Sequence, residues 1–370
     1  MGAPLTVIDL FSGVGGLSYG FANHPRFSII AANEILPKMA KAYSLNHPSV
    51  KMYVDDVVNF SFDRVYADLG ESAKQVDIIV GGPPCQAYST VGKRWADDPR
   101  AQLFLEYHRI LKEFQPKLFV FENVKGMLSM QGGELFKGVV ALFESLGYRV
   151  QYTVLNAADY GAPQIRERII LVGTQQGKEF SYPEPTHYNP QQLQKSEGKL
   201  PYLTLGEAIG DLPLIGAGSE SFAYASEPQN EFQRRMRRRA PEKLMDHNSP
   251  NNNANLVKIM QLLPDGGTPL DLPEELRPTS GYKNTYSRLW WDKPSTTITR
   301  NLSTPSSSRC IHPKAPRPLT TREGARLQCF PDEYQFYGSR SDRNLQIGNA
   351  VPTCLSVALA QAVERYFSTS

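Results

Sequence analysis

Short runs of β-branched and aromatic residues recur through the first half of the chain: "TVIDL" 6–10, "FSIIAA" 27–32, "KMYV" 51–54, "VDIIV" 76–80 and "KLFVF" 117–121. Helix-length segments such as "LFLEYHRILKEF" 103–114 lie between them. This alternation predicts a doubly wound α/β sheet. In such sheets ligands bind beyond the carboxyl ends of the strands, so those ends are where chemistry is sought. Two more runs, "YRVQYTVLN" 148–156 and "RIILVG" 168–173, read as a strand pair joined by "AADYGAPQIRE". If the last strand runs antiparallel, as an appended strand often does in mixed sheets, its opening residue Arg168 lies beside the other strands' ends. After Thr174 the pattern fades, and to about residue 310 the chain is rich in Asn, Ser, Pro and Gly without a clear period. Helical periodicity returns at Leu355, Leu359, Ala362, Val363 and Tyr366, with Pro352 near a helix start.

At 370 residues with 41% hydrophobic positions, the chain is expected to bury a full core and to form a large domain with a smaller partner. No apolar stretch approaches the length of a membrane span, and strand-like sequence begins at Thr6, so a cytoplasmic protein is expected. The four cysteines, at 85, 310, 329 and 354, form no CxxC pair, and no HExxH or His-x-Glu accompanies them. A structural zinc site is not expected, nor the zinc chemistry of base deaminases, which need Pro-Cys-x-x-Cys. The net charge is only +3, yet "FQRRMRRRAPEK" 232–243 carries a local +5. Such a block is usually a solvated face; on a protein that meets DNA it is a candidate phosphate contact.

The predicted strand ends carry the candidate chemistry. The first runs into "DLFSGVGGLSYGF" 9–21, where Gly13, Gly15 and Gly16 permit a tight turn and close backbone approach to a ligand, although Ser18 stands where a dinucleotide fingerprint has its third glycine. The second ends at Asn33-Glu34, an acid 21 residues after Gly13 that could accept from ribose hydroxyls, and the third at Asp55-Asp56-Val57, suited to an exocyclic amine. These features fit an adenosine-containing cofactor without choosing between a nicotinamide dinucleotide and S-adenosylmethionine. The fourth strand delivers "GGPPCQAYS" 81–89, with Cys85 between stiff prolines and small polar residues, and the fifth delivers "ENV", Glu122-Asn123-Val124. A lone cysteine is most often a small buried hydrophobe, but Cys85, Glu122 and Arg168 would here share one pocket. A thiolate can add to C6 of a pyrimidine and leave C5 nucleophilic toward a sulfonium methyl. Glu122 would serve ring N3 and Arg168 the O2 oxygen.

With these residues in view the chain resembles the DNA (cytosine-5)-methyltransferase family. "DLFSGVGGLSYGF" resembles its first cofactor motif, "PPCQAYS" its nucleophile loop, "ENV" its glutamate motif and "QIRER" its paired-arginine motif, while "RPLTTREGARLQCFPD" 317–332 and "QIGNAVP" 346–352 match its last two blocks. The resemblance covers roughly 1–175 and 285–370. It implies a Rossmann-like S-adenosylmethionine-dependent methyltransferase fold with a second, smaller loop-rich target-recognition domain. The catalytic and cofactor-binding domain would be 1–180 completed by 341–370, and the recognition domain 181–340. It implies that Phe11, Gly13, Gly15, Glu34, Asp56, Val57, Leu103 and Asn349 line the S-adenosylmethionine site, with Pro84 near the sulfonium. Asp55 stands where the family usually has glycine, and Asp56 is favoured for the adenine contact. Cys85 would be the nucleophile, with Glu122 and Arg168 beside it and Arg166 supporting their geometry. The loop "STVGKRWADDPR" would close over a flipped-out cytosine, with Ser89, Lys93 and Arg94 as backbone contacts. The partner implied is double-stranded DNA, bound by a monomer, with a cognate restriction endonuclease as a genetic partner if the enzyme is not a solitary one. Rival readings are a tRNA cytosine-5 methyltransferase of the same fold, a nicotinamide oxidoreductase with no use for Cys85, and a catalytically dead DNA-binding protein.

Overall fold

A computed structural model describes residues 3–84, 99–175, 178–192, 197–278 and 284–368. The chain divides into two compact units, one of residues 1–156, 167–184 and 355–370 and one of residues 157–166 and 185–354. Among the described residues no helix is long and apolar enough to cross a membrane.

The first unit is built on seven strands: β1 Leu5–Leu10, β2 Phe27–Asn33, β3 Lys51–Tyr53, β4 Ile78–Gly81, β5 Leu118–Val124, β6 Arg149–Asn156 and β7 Glu167–Thr174. Their order is β3-β2-β1-β4-β5-β7-β6. The first five pair in parallel, and β7 runs antiparallel to both β5 and β6. The chain order reverses between β1 and β4, so a crevice is expected there, beyond the carboxyl ends of the strands. Because β7 is antiparallel, its first residues return to that same edge, with Val124 opposite Arg168. The last strand therefore runs antiparallel, the case in which Arg168 was expected beside the other strands' ends.

The central strands β1, β4 and β5 are buried almost throughout, as parallel strands covered on both faces must be. One face packs against the helix Pro99–Phe114 and the helix Glu134–Glu144 through an aromatic cluster in which Tyr107 lies 5.3 Å from Phe121 and Phe119 lies 5.0 Å from Phe143. Gly173 on β7 has no room for a side chain, since a Cβ there would stand 1.9 Å from the Phe119 ring. The C-terminal helix Thr353–Ser368 buries Leu355, Leu359, Ala362, Val363 and Tyr366. Ser356 accepts the Gly20 N–H at 2.8 Å and donates to the Leu17 carbonyl. A Cβ on Gly20 would lie 2.3 Å from the Ser356 carbonyl oxygen, so the glycine lets the chain's last helix sit directly on the short helix Ser18–Ala22.

The second unit has little regular structure beyond short helices, and its core is polar as well as apolar. Arg326 is fully buried between Asp332, at 2.7 Å from both oxygens, and Asp211, at 2.9 and 3.2 Å. Arg317 makes a two-pronged pair with Glu323 at 2.8 and 2.7 Å, while Glu323 also caps the helix Thr321–Leu327 through the Thr320 N–H. Buried charges persist only when paired and hydrogen-bonded in this way. The block "RPLTTREGARLQCFPD" is thus the internal scaffold of this unit.

Candidate active site

The carboxyl edge of β1, β2 and β3 is stitched together by backbone and by one side chain. Asn33, at the end of β2, is 2% exposed; its amide donates to the carbonyls of Tyr53 and Asp55 at 3.2 and 2.9 Å, and its own carbonyl accepts the Ser12 N–H at 3.0 Å. The three strand ends that the sequence marked are therefore one continuous rim. Phe11 leaves β1 with φ +55°, a left-handed conformation that costs energy for any residue with a Cβ and concentrates at functional turns. Gly13 and Gly15 follow at φ +56° and +94°, where glycine is unstrained.

Glu34 is buried, and its carboxylate accepts the Gly13 N–H and the Leu36 N–H, each at 2.8 Å. Burial raises its pKa, against the lowering effect of these N–H groups. Asp56 caps the turn Val57–Asn59 by accepting the Val58 N–H at 3.1 Å, whereas the Asp55 carboxylate is taken up by Asn59 and by the Asp56 N–H. The turn is held from beneath by Arg109, whose guanidinium donates to the carbonyls of Val57 and Phe60 at 3.2 Å. Leu103 is half-buried against the main core. Under the glycine turn, Asp9 is 1% exposed and accepts from Ser18, whose hydroxyl also meets Tyr43 at 3.0 Å. Burial pushes the Asp9 carboxyl up to about 7, with the Ser18 hydrogen bond opposing and the charge of Glu34 adding to the rise.

On the other side of the switch point, Glu122 on β5 and Arg168 on β7 form an ion pair, Nε to Oε1 at 2.8 Å, with both side chains 13% exposed. Oε2 of Glu122 faces Gly82, just past the end of β4, where a Cβ would lie only 2.6 Å from it. Asn123 is 3% exposed and donates to the Pro83 carbonyl at 3.0 Å while accepting the Val124 N–H at 2.8 Å. It ties the chain leaving β4 to the strand that carries Glu122. Pro84 is exposed at the end of this described segment. Cys85, Ser89, Lys93 and Arg94 lie outside the described residues.

Arg166 and Asn349 belong to the second unit. Arg166 is 2% exposed and its guanidinium donates to the carbonyls of Ile298 and Gly348 at 2.7 and 2.9 Å. Gly348 admits this arrangement because a Cβ there would stand 2.1 Å from the Arg300 nitrogen. Asn349 is the exposed last residue of the helix Arg340–Asn349. Four positioning residues escaped the sequence reading: Asn33, Gly82, Arg109 and Asn123. Asn33 and Asn123 carried a signal, their places beside Glu34 and beside Glu122 in "ENV".

A seven-stranded sheet with a left-handed glycine turn, an acidic rim and a partly buried carboxylate–guanidinium pair along one edge defines a Rossmann-like methyltransferase. The C-5 cytosine-specific DNA methylase family matches the chain over residues 5–365. Among its relatives, the Type II methyltransferase M1.HphI of Haemophilus parahaemolyticus is 37% identical over 97% of this chain and 86% of its own length. The Type II methyltransferase M.DdeI of Desulfomicrobium norvegicum is 36% identical over 98% of this chain and 89% of its own. A solved prophage-encoded protein of E. coli, assigned as a DNA modification methyltransferase, superposes with a TM-score of 0.78 at 25% identity over 98% of this chain and 99% of that one. The chain belongs to the C-5 cytosine-specific DNA methylase family and is a DNA (cytosine-5-)-methyltransferase.

Proposed function

We propose that the enzyme methylates a flipped-out cytosine in a specific double-stranded DNA sequence, using S-adenosylmethionine and a covalent bond from Cys85 to C6, as the modification half of a Type II restriction-modification system. The observation that carries this reading is the Glu122–Arg168 pair, seated at 2.8 Å where β4 hands the chain on toward Cys85. S-adenosylmethionine, when bound, supplies an electrophilic methyl group. The rim suits its adenosine: Glu34 offers a carboxylate for ribose hydroxyls, a Cβ built on Gly13 meets nothing within 4 Å, and Ile35 and Val58 leave apolar surface exposed beside it. Phe11, Gly15, Asp56, Val57 and Leu103 would complete that site, with Pro84 toward the methyl.

In the proposed reaction the Cys85 thiolate adds to C6, and Glu122 holds a proton at N3 while Arg168 donates to O2, so that charge accumulating on the ring meets preorganised partners. C5 takes the methyl group, the C5 proton leaves to a base, and the electrons of the C5–H bond re-form the C5–C6 double bond as Cys85 departs. Arg166 would act at a distance, by fixing the segment 157–166 that leads into β7. The first unit would then hold catalysis and cofactor, and residues of 185–290 would read the DNA sequence. A duplex carrying 5-fluorocytosine at the target tests the covalent step, because fluorine cannot leave as the C5 proton does. A stable adduct mapping to Cys85 is expected, and an adduct elsewhere or none at all contradicts the mechanism.

A further inference from the structure

We propose that Arg234, Arg235, Arg238 and Arg239 form a phosphate-binding surface for duplex DNA, with Arg237 as its internal anchor. The inference rests on the reading of the protein as a DNA-acting enzyme and names a surface that reading leaves unassigned.

The structure divides the arginine run into two kinds. Arg237 turns inward: its guanidinium donates to the Ser226 carbonyl at 2.7 Å, pairs with buried Asp211 at 3.3 Å and lies 3.8 Å from the centre of the Tyr224 ring. Phe232, Gln233 and Met236 are buried as well, and Asn230 caps the helix Glu231–Met236 by accepting the Gln233 N–H at 2.9 Å. The backbone under the run is therefore fixed. The other four arginines are exposed on it. Arg234 pairs with Glu231 at 3.0 Å. Among the described residues no carboxylate lies within ion-pair reach of Arg235, Arg238 or Arg239.

An ordinary solvated helix face mixes signs and pairs them. Here one acid serves four guanidiniums, and the fifth arginine, Arg237, is turned inward beneath them. Guanidinium matches a phosphate diester in charge and in its paired N–H geometry, better than a flexible ammonium would. Repeated phosphates along one strand suit several such groups on a rigid stretch, and contacts of this kind carry no sequence information.

Binding of a target and a non-target duplex, measured by anisotropy between 50 and 200 mM salt, tests the proposal on the full-length protein. For Arg238→Gln/Arg239→Gln, two lost phosphate contacts should lower the slope of log affinity against log salt by about 1.8, so the affinity lost over that range shrinks about twelvefold. The effect should be equal for both duplexes. Arg237→Gln, which loosens the anchor, should lower the melting temperature. An unchanged slope in the double variant or an effect confined to the target sequence overturns the proposal. A wild-type protein that neither binds nor methylates duplex DNA would overturn the underlying reading as well, whereas an active wild type with indifferent variants overturns only this surface.

Discussion

Gly82→Ala isolates the geometry of the Glu122 carboxylate from the stability of the fold. A methyl group there would lie 2.6 Å from Glu122 Oε2, whereas ordinary contact begins at 3.4 Å, so the carboxylate must retreat by about 0.8 Å. Its other oxygen is held by Arg168 at 2.8 Å in a mostly buried pair, so it cannot move without stretching that bond or rotating away from the place it keeps for the base. Misplacing a catalytic group by about 1 Å costs on the order of 100-fold in rate, or about 2.7 kcal/mol of transition-state stabilisation. The fold should hardly notice. Gly82 does not have a positive φ, its next contact is the Glu122 carbonyl at 3.5 Å, and alanine restricts the unfolded chain. Methyl transfer from labelled cofactor to a duplex substrate should show kcat down about 100-fold, with cofactor KM changed less than about twofold and the melting temperature nearly unchanged. A variant with near-normal kcat would refute the reasoning, because Glu122 would then be shown to tolerate displacement. A large fall in melting temperature would refute it too, by making Gly82 a folding residue.

Asn123→Ala removes the donor to Pro83 and the acceptor for Val124 N–H. It should slow formation of the 5-fluorocytosine adduct by about 10- to 100-fold without weakening cofactor binding, and an unchanged adduct rate would remove Asn123 from the positioning of the Cys85 loop. Asp9→Asn tests the buried carboxyl held at about 7. A raised folded pKa gives stability that is fully present below the unfolded value, near 3.9, and is lost as pH rises through 7. Relative to wild type, the variant should therefore gain about 1.4 kcal/mol per pH unit between pH 5 and 7 and then level off. A difference in thermal stability that does not vary with pH would contradict the placement of Asp9.

The central strands were legible because each is a compact apolar run, and parallel strands buried on both faces leave that mark whatever their neighbours. Arg168 could be placed beside Glu122 from order alone, once the last strand was taken as antiparallel. The supporting residues could not. Asn33, Gly82 and Arg109 act on groups 20, 40 and 52 positions away, and nothing periodic in a sequence reports such contacts. The sequence does not report that the arginines of 317–332 are buried, because burial of a charge depends on the partners Asp211 and Glu323 that folding brings to it. The run 234–239 showed the opposite limit: its charge was plain, but which arginine turns inward depended on Tyr224 and Asp211.

Bisulfite sequencing of genomic DNA from cells expressing the wild-type chain or its Cys85→Ser variant reports the base, the position methylated and the surrounding sequence in one experiment. The account predicts protected cytosines at every copy of one short sequence in the wild-type sample and none above background in the variant. Absence of protected cytosines with the wild type, or the same protection with both proteins, would contradict it.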